Sequence, residues 1–214
     1  MPNPARPLLV SFAMPEEARP FQKFLPALDR VEMIVTGMGR HHTERALRAA
    51  LAKNRPAAVF TCGFAGGLDP SLQLGDLVFE TAENSLAAHL RAVGARPGRF
   101  HCASRMAVTT EEKQALRLET GADAVEMESR WVHEICAQQG VACATLRVIS
   151  DTASETMPLD FNALTTADLK LNYVKLALAL ARAPGKLPAL LRLQRQTQAA
   201  ARTLAAFLQR CLAV

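Results

Sequence analysis

Four acidic residues stand where a carboxylate could do chemistry. Glu17 follows Pro15 just beyond an apolar run, Glu126 and Glu128 flank Met127 in "VEMES", and Asp151 closes the run "LRVISD". A carboxylate can take a proton from a nucleophile or, when protonated, give one to a leaving group. Each position also has an ordinary structural role as a helix-start or turn residue complementing a helix dipole, so residue type alone leaves both readings open. Glycines are the second signal. In "TCGFAGGLDPSLQLGDLVFETAE" (61–83), Gly63, Gly66 and Gly67 follow an apolar run. Such a cluster implies positive φ angles or something approaching the backbone closely; a flat ligand and a tight crossover between strands both satisfy it. Gly37 and Gly39 in "TGMGR" suit a strand-to-helix turn whose amides could hold an anion beside Arg40, although His42 breaks the dinucleotide-binding pattern.

Residues able to react need a scaffold that brings them together. Short apolar runs at 8–13, 31–36, 57–62, 75–81 and 141–149 predict buried strands, with weaker candidates near 100–109 and 122–126. Helical patterns fall at 41–53 and 128–139, and the last 55 residues read as helix with one break at "APGKLP" (183–188). Strand and helix alternate. That order predicts an α/β fold, a three-layer α/β/α sandwich around a mixed, largely parallel sheet, in which ligands bind beyond the C-terminal strand ends. Glu17, Gly39, Gly63, Glu128 and Asp151 all lie where such ends are expected.

Composition removes other classes. With 214 residues, half of them apolar, the chain is expected to form one domain over 1–214, with a helical C-terminal extension at about 186–212. The surplus of 25 Lys and Arg over 20 Asp and Glu reads as mild and spread along the chain. No nucleic-acid partner is expected, because basic stripes with interleaved aromatics are missing. Neither a signal peptide nor a spanning segment is recognisable, so the expected location is the cytoplasm. The five cysteines form no C-x-x-C pair and read as reduced core residues; His41 and His42 lack metal-ligand spacing, and no metal or cofactor is expected. Trp131 and His133 read as packing and surface residues.

The stretches "AMPEEARPF" (13–21), "VTGMGR" (35–40), "TCGFAGGLDPSLQLGDLV" (61–78), "VEMES" (125–129) and "LRVISDTA" (146–153) together resemble the purine nucleoside phosphorylase and nucleosidase superfamily, in particular its methylthioadenosine and S-adenosylhomocysteine nucleosidases. The resemblance implies a nucleoside phosphorylase-like fold that cleaves an N-glycosidic bond. It implies that Glu17 activates water, that Met127 and Glu128 meet the ribose, and that Asp151 serves the purine N7 and its exocyclic amine. Gly63, Phe64 and Ala65 would line the pocket beside base and sugar, the base-stacking position would fall near Val108, and Arg147 is a candidate orienter unless it pairs with a surface carboxylate. Gly39 and Arg40 remain candidate anion binders. Where phosphorolytic relatives carry an arginine and a serine, this chain has Thr61–Phe64, so water is the expected nucleophile and phosphate would be a co-substrate only in a phosphorylase.

The segment 186–212 resembles hopanoid-associated members that remove adenine from adenosylhopane, which makes that 5′-modified adenosine the specific candidate substrate. Leu190, Leu191, Leu193, Leu204, Phe207 and Leu208 form one side of this segment and Arg192, Arg195, Arg202 and Arg210 another. Peripheral contact with an anionic membrane is one expectation for such a helix, and packing on the domain or on another subunit is the other. A homo-oligomer is expected by resemblance. The rival readings are a phosphate-dependent phosphorylase and, prompted by Phe64 and the short base region, a nucleoside-binding protein without turnover.

Overall fold

The computed structural model describes residues 6–166 and 172–213. The chain opens with β1 (Leu8–Phe12), α1 (Pro15–Gln22), β2 (Val31–Val35), α2 (Arg40–Lys53) and β3 (Ala58–Gly67). It continues through β4 (Leu77–Glu80), α3 (Asn84–Val93), β5 (Arg96–Pro97), β6 (Phe100–Cys102), α4 (Thr110–Thr120), β7 (Ala124–Glu126) and α5 (Ser129–Gln139). After the long strand β8 (Ala142–Asp151) it ends in α6 (Phe161–Leu164), α7 (Tyr173–Arg182) and α8 (Leu187–Leu212).

Side-chain alternation along the strands builds two cores on opposite faces of one sheet. On β1, Val10 and Phe12 join one core while Leu9 joins the other; on β3, Phe60 and Cys62 oppose Val59 in the same way. The larger core is closed by α1, α3 and the second half of α8, and the smaller by α2 and α5. The sheet runs β2-β1-β3-β8-β4-β5, with β7 on the end of β3 and β6 beside it. Pairing is antiparallel at β4–β8 and β3–β7 and parallel elsewhere, so the expected mixed, largely parallel sandwich is what forms.

Several elements differ from the sequence expectation. The strand expected to end at 62 continues as β3 through Gly63, Gly66 and Gly67, because β8 pairs with it as far as Asp151. The weak strand near 100–109 stops at Cys102, and helices α3 and α4 appear where none was expected. Helix α4 is announced by a capping box: Thr109 Oγ1 accepts from the Glu112 amide while Glu112 Oε2 accepts from Thr109 N. The break expected at 183–188 does separate α7 from α8, but Pro188 sits inside the first turn of α8, where its missing N–H costs nothing. The extension expected over 186–212 is external only in its first half, since Leu204, Phe207 and Leu208 are buried in the larger core. Residues 167–171 of the expected helical stretch lie outside the described residues.

Candidate active site

Glu17 reaches its place through the start of α1. Pro15 fixes the first helical turn, and Glu17 turns back so that Oε2 accepts from Met14 N at 2.9 Å. Its Oε1 accepts from Phe64 N, also at 2.9 Å, which ties α1 to β3. Here Gly63 matters. At φ +156°, a Cβ on this residue would lie 2.6 Å from Glu17 Oε1. Three residues on, a Cβ on Gly66 would lie 3.1 Å from Asp151 Oδ2. What comes too close to this backbone for side chains is therefore a pair of carboxylates. Asp151 stands beside Gly66 because the β3–β8 register shifts between Ala65 and Gly66; in unbroken register Ser150 would occupy that place.

Glu126 and Glu128 divide two roles between them. Glu126 ends β7 and caps α5, accepting from Glu128 N, Ser129 N and Ser129 Oγ at 3.0, 2.8 and 2.6 Å. Glu128 diverges from it, and its Oε1 accepts from Gly39 N at 3.2 Å. The Gly39 amide considered for an external anion thus holds an internal carboxylate. Arg147 lies beneath this group, fully buried. It donates to Glu126 Oε2 at 2.6 Å and to Thr61 O at 2.7 Å, and it stands 4.0 Å from Glu128 Oε2. Pairing with a surface carboxylate is thereby excluded: Arg147 is the buried counter-ion of the acidic cluster.

One guanidinium faces three carboxylates, and this imbalance sets their protonation. Burial raises the pKa of Glu128 to about 8, Glu126 and Glu17 add repulsion, and Arg147 and the Gly39 amide only partly oppose them. Burial also raises Glu17, against the Phe64 amide, the Arg147 charge and the Met14 amide. Glu126 moves the other way: burial would raise it, but Arg147, the Ser129 hydroxyl and two amides bring it below the ordinary carboxylate value. Glu126 thus holds the negative charge that Arg147 neutralises, while burial holds the proton of Glu128 up to about 8 and shifts Glu17 in the same direction.

Asp151 has a partner that the sequence reading missed. Lys113, fully buried one turn into α4, places Nζ 2.6 Å from Asp151 Oδ2 and donates to the carbonyls of Thr152 and Glu155 at 2.7 and 2.8 Å. The approach to Oδ2 is too oblique for a hydrogen bond, so this oxygen has charge compensation but no aligned donor. Its other oxygen accepts from Ser150 Oγ at 2.8 Å. The capping box at Thr109 was the available sign of α4, but nothing local shows that Lys113 points inward.

A cavity of about 680 Å³, lined by Gly39, Arg40, Met106, Ala107, Met127 and Trp131 among others, meets the acidic cluster through Gly39 and Met127; Glu17, Glu128 and Asp151 are not among its wall residues. A second, of about 350 Å³, shares Met106 and Met127 with it and extends to Met38, Asn162 and Thr165. Met127 is therefore on the cavity wall. Trp131, read from sequence as packing, lines it too, with the guanidinium groups of Arg40 and Arg130 at 4.4 and 5.0 Å from its ring centre. Val108 is buried beside α4, its N–H donating to Glu112 and its carbonyl accepting from Met157 N; Met106 and Ala107 are the wall residues of that loop. The Phe64 side chain packs against the larger core, and Ala65 is buried beside Ile149 and Val78. The cavity arginines each face a glutamate: Arg40–Glu44, Arg105–Glu112 and Arg130–Glu134. Among the described residues no group of three or more His, Cys, Asp or Glu is placed to hold a metal ion.

An α/β sandwich that gathers carboxylates at its strand ends beside a cavity is a small-molecule enzyme architecture. The model of the phosphorylase superfamily matches residues 16–82 and 79–183, and the chain belongs to that superfamily. Solved structures of similar fold include 5′-methylthioadenosine/S-adenosylhomocysteine nucleosidase from Helicobacter pylori with butyl-thio-DADMe-Immucillin-A. It is 19% identical over 96% of this chain and 97% of that one, with a TM-score of 0.73. A futalosine hydrolase mutant of Helicobacter pylori is 20% identical over 97% and 98%, with a TM-score of 0.71. The Campylobacter jejuni methylthioadenosine/S-adenosylhomocysteine nucleosidase is 17% identical over 96% and 98%, also at 0.71.

Proposed function

We propose that the protein hydrolyses the N-glycosidic bond of a purine nucleoside, a 5′-modified adenosine, and releases adenine. The observation that carries this reading is the pair of buried carboxylates, Glu17 and Asp151, fitted against Gly63 and Gly66 on one strand. As the C1′–N9 bond breaks, its electrons pass to the purine and positive charge builds on the sugar. Glu17 takes a proton from the water that bonds to C1′, and its negative charge stabilises the cationic sugar. Glu128 grips the ribose hydroxyls with Met127 against the sugar face. Asp151 passes its carboxyl proton to the purine N7 as the base leaves, and the Lys113 ammonium opposes the negative charge left on the Asp151 carboxylate. Water is favoured over phosphate because the cavity arginines already face glutamates.

Adenosylhopane is the specific substrate we put forward. The second cavity beyond Met106 and Met127 offers a path for a bulky 5′ substituent, in keeping with the likeness of the C-terminal segment to hopanoid-associated proteins. The test is chromatographic detection of free base from adenosine, inosine, methylthioadenosine, S-adenosylhomocysteine and adenosylhopane, each with and without phosphate. Adenine release without phosphate, fastest from adenosylhopane and lowered about 100-fold or more in Glu17→Gln and Asp151→Asn, is the expected result. Phosphate dependence would bring Arg40 into the chemistry and make the protein a phosphorylase. Tight nucleoside binding without release would leave only the binding-protein reading.

A further inference from the structure

Helix α7 has no buried residue, yet its sequence YVKLALALAR is mostly apolar. At 100° per residue Tyr173, Val174, Ala177, Leu178 and Ala181 fall on one side, and all five are exposed. Tyr173, Val174 and Leu178 expose 74%, 70% and 52% of their surface, and Leu187 and Leu191 on the outer half of α8 follow at 46% and 45%. A soluble chain rarely leaves such a stripe to water without use.

Charge identifies what covers it. Between Asn172 and Ala213 seven Lys or Arg occur and no Asp or Glu, which leaves 18 basic against 20 acidic residues in the rest of the chain. The basic surplus expected to be spread along the sequence is thus confined to this segment. Arg182, Lys186, Arg192 and Arg195 are all exposed beside the apolar side chains. A symmetric contact between two copies through this segment would bring together two cationic surfaces without an Asp or Glu on either. Nucleic acid would call for stacking aromatics, whereas aliphatic residues predominate here. An anionic lipid surface satisfies both the aliphatic stripe and the cations.

We infer that α7 and the first half of α8 dock the protein on the surface of an anionic membrane. The helix lies in the interfacial plane; none among the described residues is long and apolar enough to cross a bilayer. Of the two expectations for 186–212, packing on the domain holds for the inner half, where Leu204, Phe207 and Leu208 are in the core, so membrane contact falls to α7 and the outer half of α8. The docking helix also adjoins the cavity. Lys175 Nζ donates to the carbonyls of Ala163 and Thr165 at 3.1 and 3.3 Å, and Thr165 lines the second cavity. A membrane-resident apolar group on a nucleoside would therefore enter from the docked side.

Co-sedimentation of the full chain with phosphatidylcholine vesicles, with and without phosphatidylglycerol, tests this without any turnover, so it stands or falls apart from the proposed reaction. The expected result is binding to phosphatidylglycerol vesicles that high salt reverses. Val174→Glu/Leu178→Glu and Arg192→Glu/Arg195→Glu should each weaken it at least about tenfold, with melting temperature unchanged. No binding to phosphatidylglycerol vesicles, or binding indifferent to both pairs of substitutions, would overturn the inference. So would a dimer in sedimentation velocity that Leu178→Glu dissociates while vesicles are ignored.

Discussion

Glu128 shows how one residue's environment decides its chemistry. In the folded chain its proton is held up to about pH 8, whereas an ordinary carboxylate loses it near 4.5. The stability this group contributes is therefore present in full below pH 4.5 and is lost as pH rises through 8. Glu128→Gln, which mimics the protonated form, should melt close to the wild type at pH 5 and above it by about 5 °C or more at pH 9. An equal difference at both pH values would show that repulsion within the cluster does not govern this site. Gly63 supports the opposite kind of prediction. Gly63→Ala puts a methyl into Glu17 Oε1 at 2.6 Å, and moving Glu17 breaks its bond to Phe64 N. Turnover should fall at least about tenfold with a loss of roughly 1–3 kcal/mol in denaturant unfolding. Wild-type turnover in that variant would separate Glu17 from the reaction.

Among the elements, α4 connects structure to chemistry, because Lys113 on it reaches Asp151 and the carbonyls that follow β8. Lys113→Met leaves Asp151 buried without a counter-ion, a change that costs about 3–5 kcal/mol where one partner of a buried pair is removed. If Lys113 also stabilises the carboxylate left on Asp151 when its proton passes to the base, the loss of turnover will depend on the leaving group. Release of adenine should fall about 100-fold or more, while release of a nitrophenol from its riboside, which leaves without a proton, should fall far less. Equal losses for both would give Lys113 a purely structural role. The capping box that starts α4 is written in Thr109 and Glu112 and was legible; the inward direction of Lys113 was not, since it follows from where the 152–155 turn packs.

At the scale of the whole molecule, α8 divides into two halves with different duties. Phe207 and Leu204 close the larger core against α1 and β8, whereas Leu191 faces outward. Phe207→Ala should cost about 3–5 kcal/mol in equilibrium unfolding, and Leu191→Ala should stay within about 0.5 kcal/mol. Comparable losses from the two would mean that the outer half is also part of the folded core.

Sequence alone determined the layer architecture, because short buried strands alternating with amphipathic helices have few other ways to cover both faces of a sheet. It also picked out Glu17, Glu128 and Asp151, since acids at strand ends stand out against apolar runs. Residue type did not separate Glu126 from Glu128, and only the resemblance favoured Glu128; two residues apart, they diverge because the strand turns into α5 between them. Nor did it reveal that Gly63 and Gly66 make room for the chain's own carboxylates, or that Lys113 pairs with Asp151. These are contacts between segments 38 to 85 positions apart, fixed by a register shift in β8 and by the packing of α4, which only the tertiary structure decided.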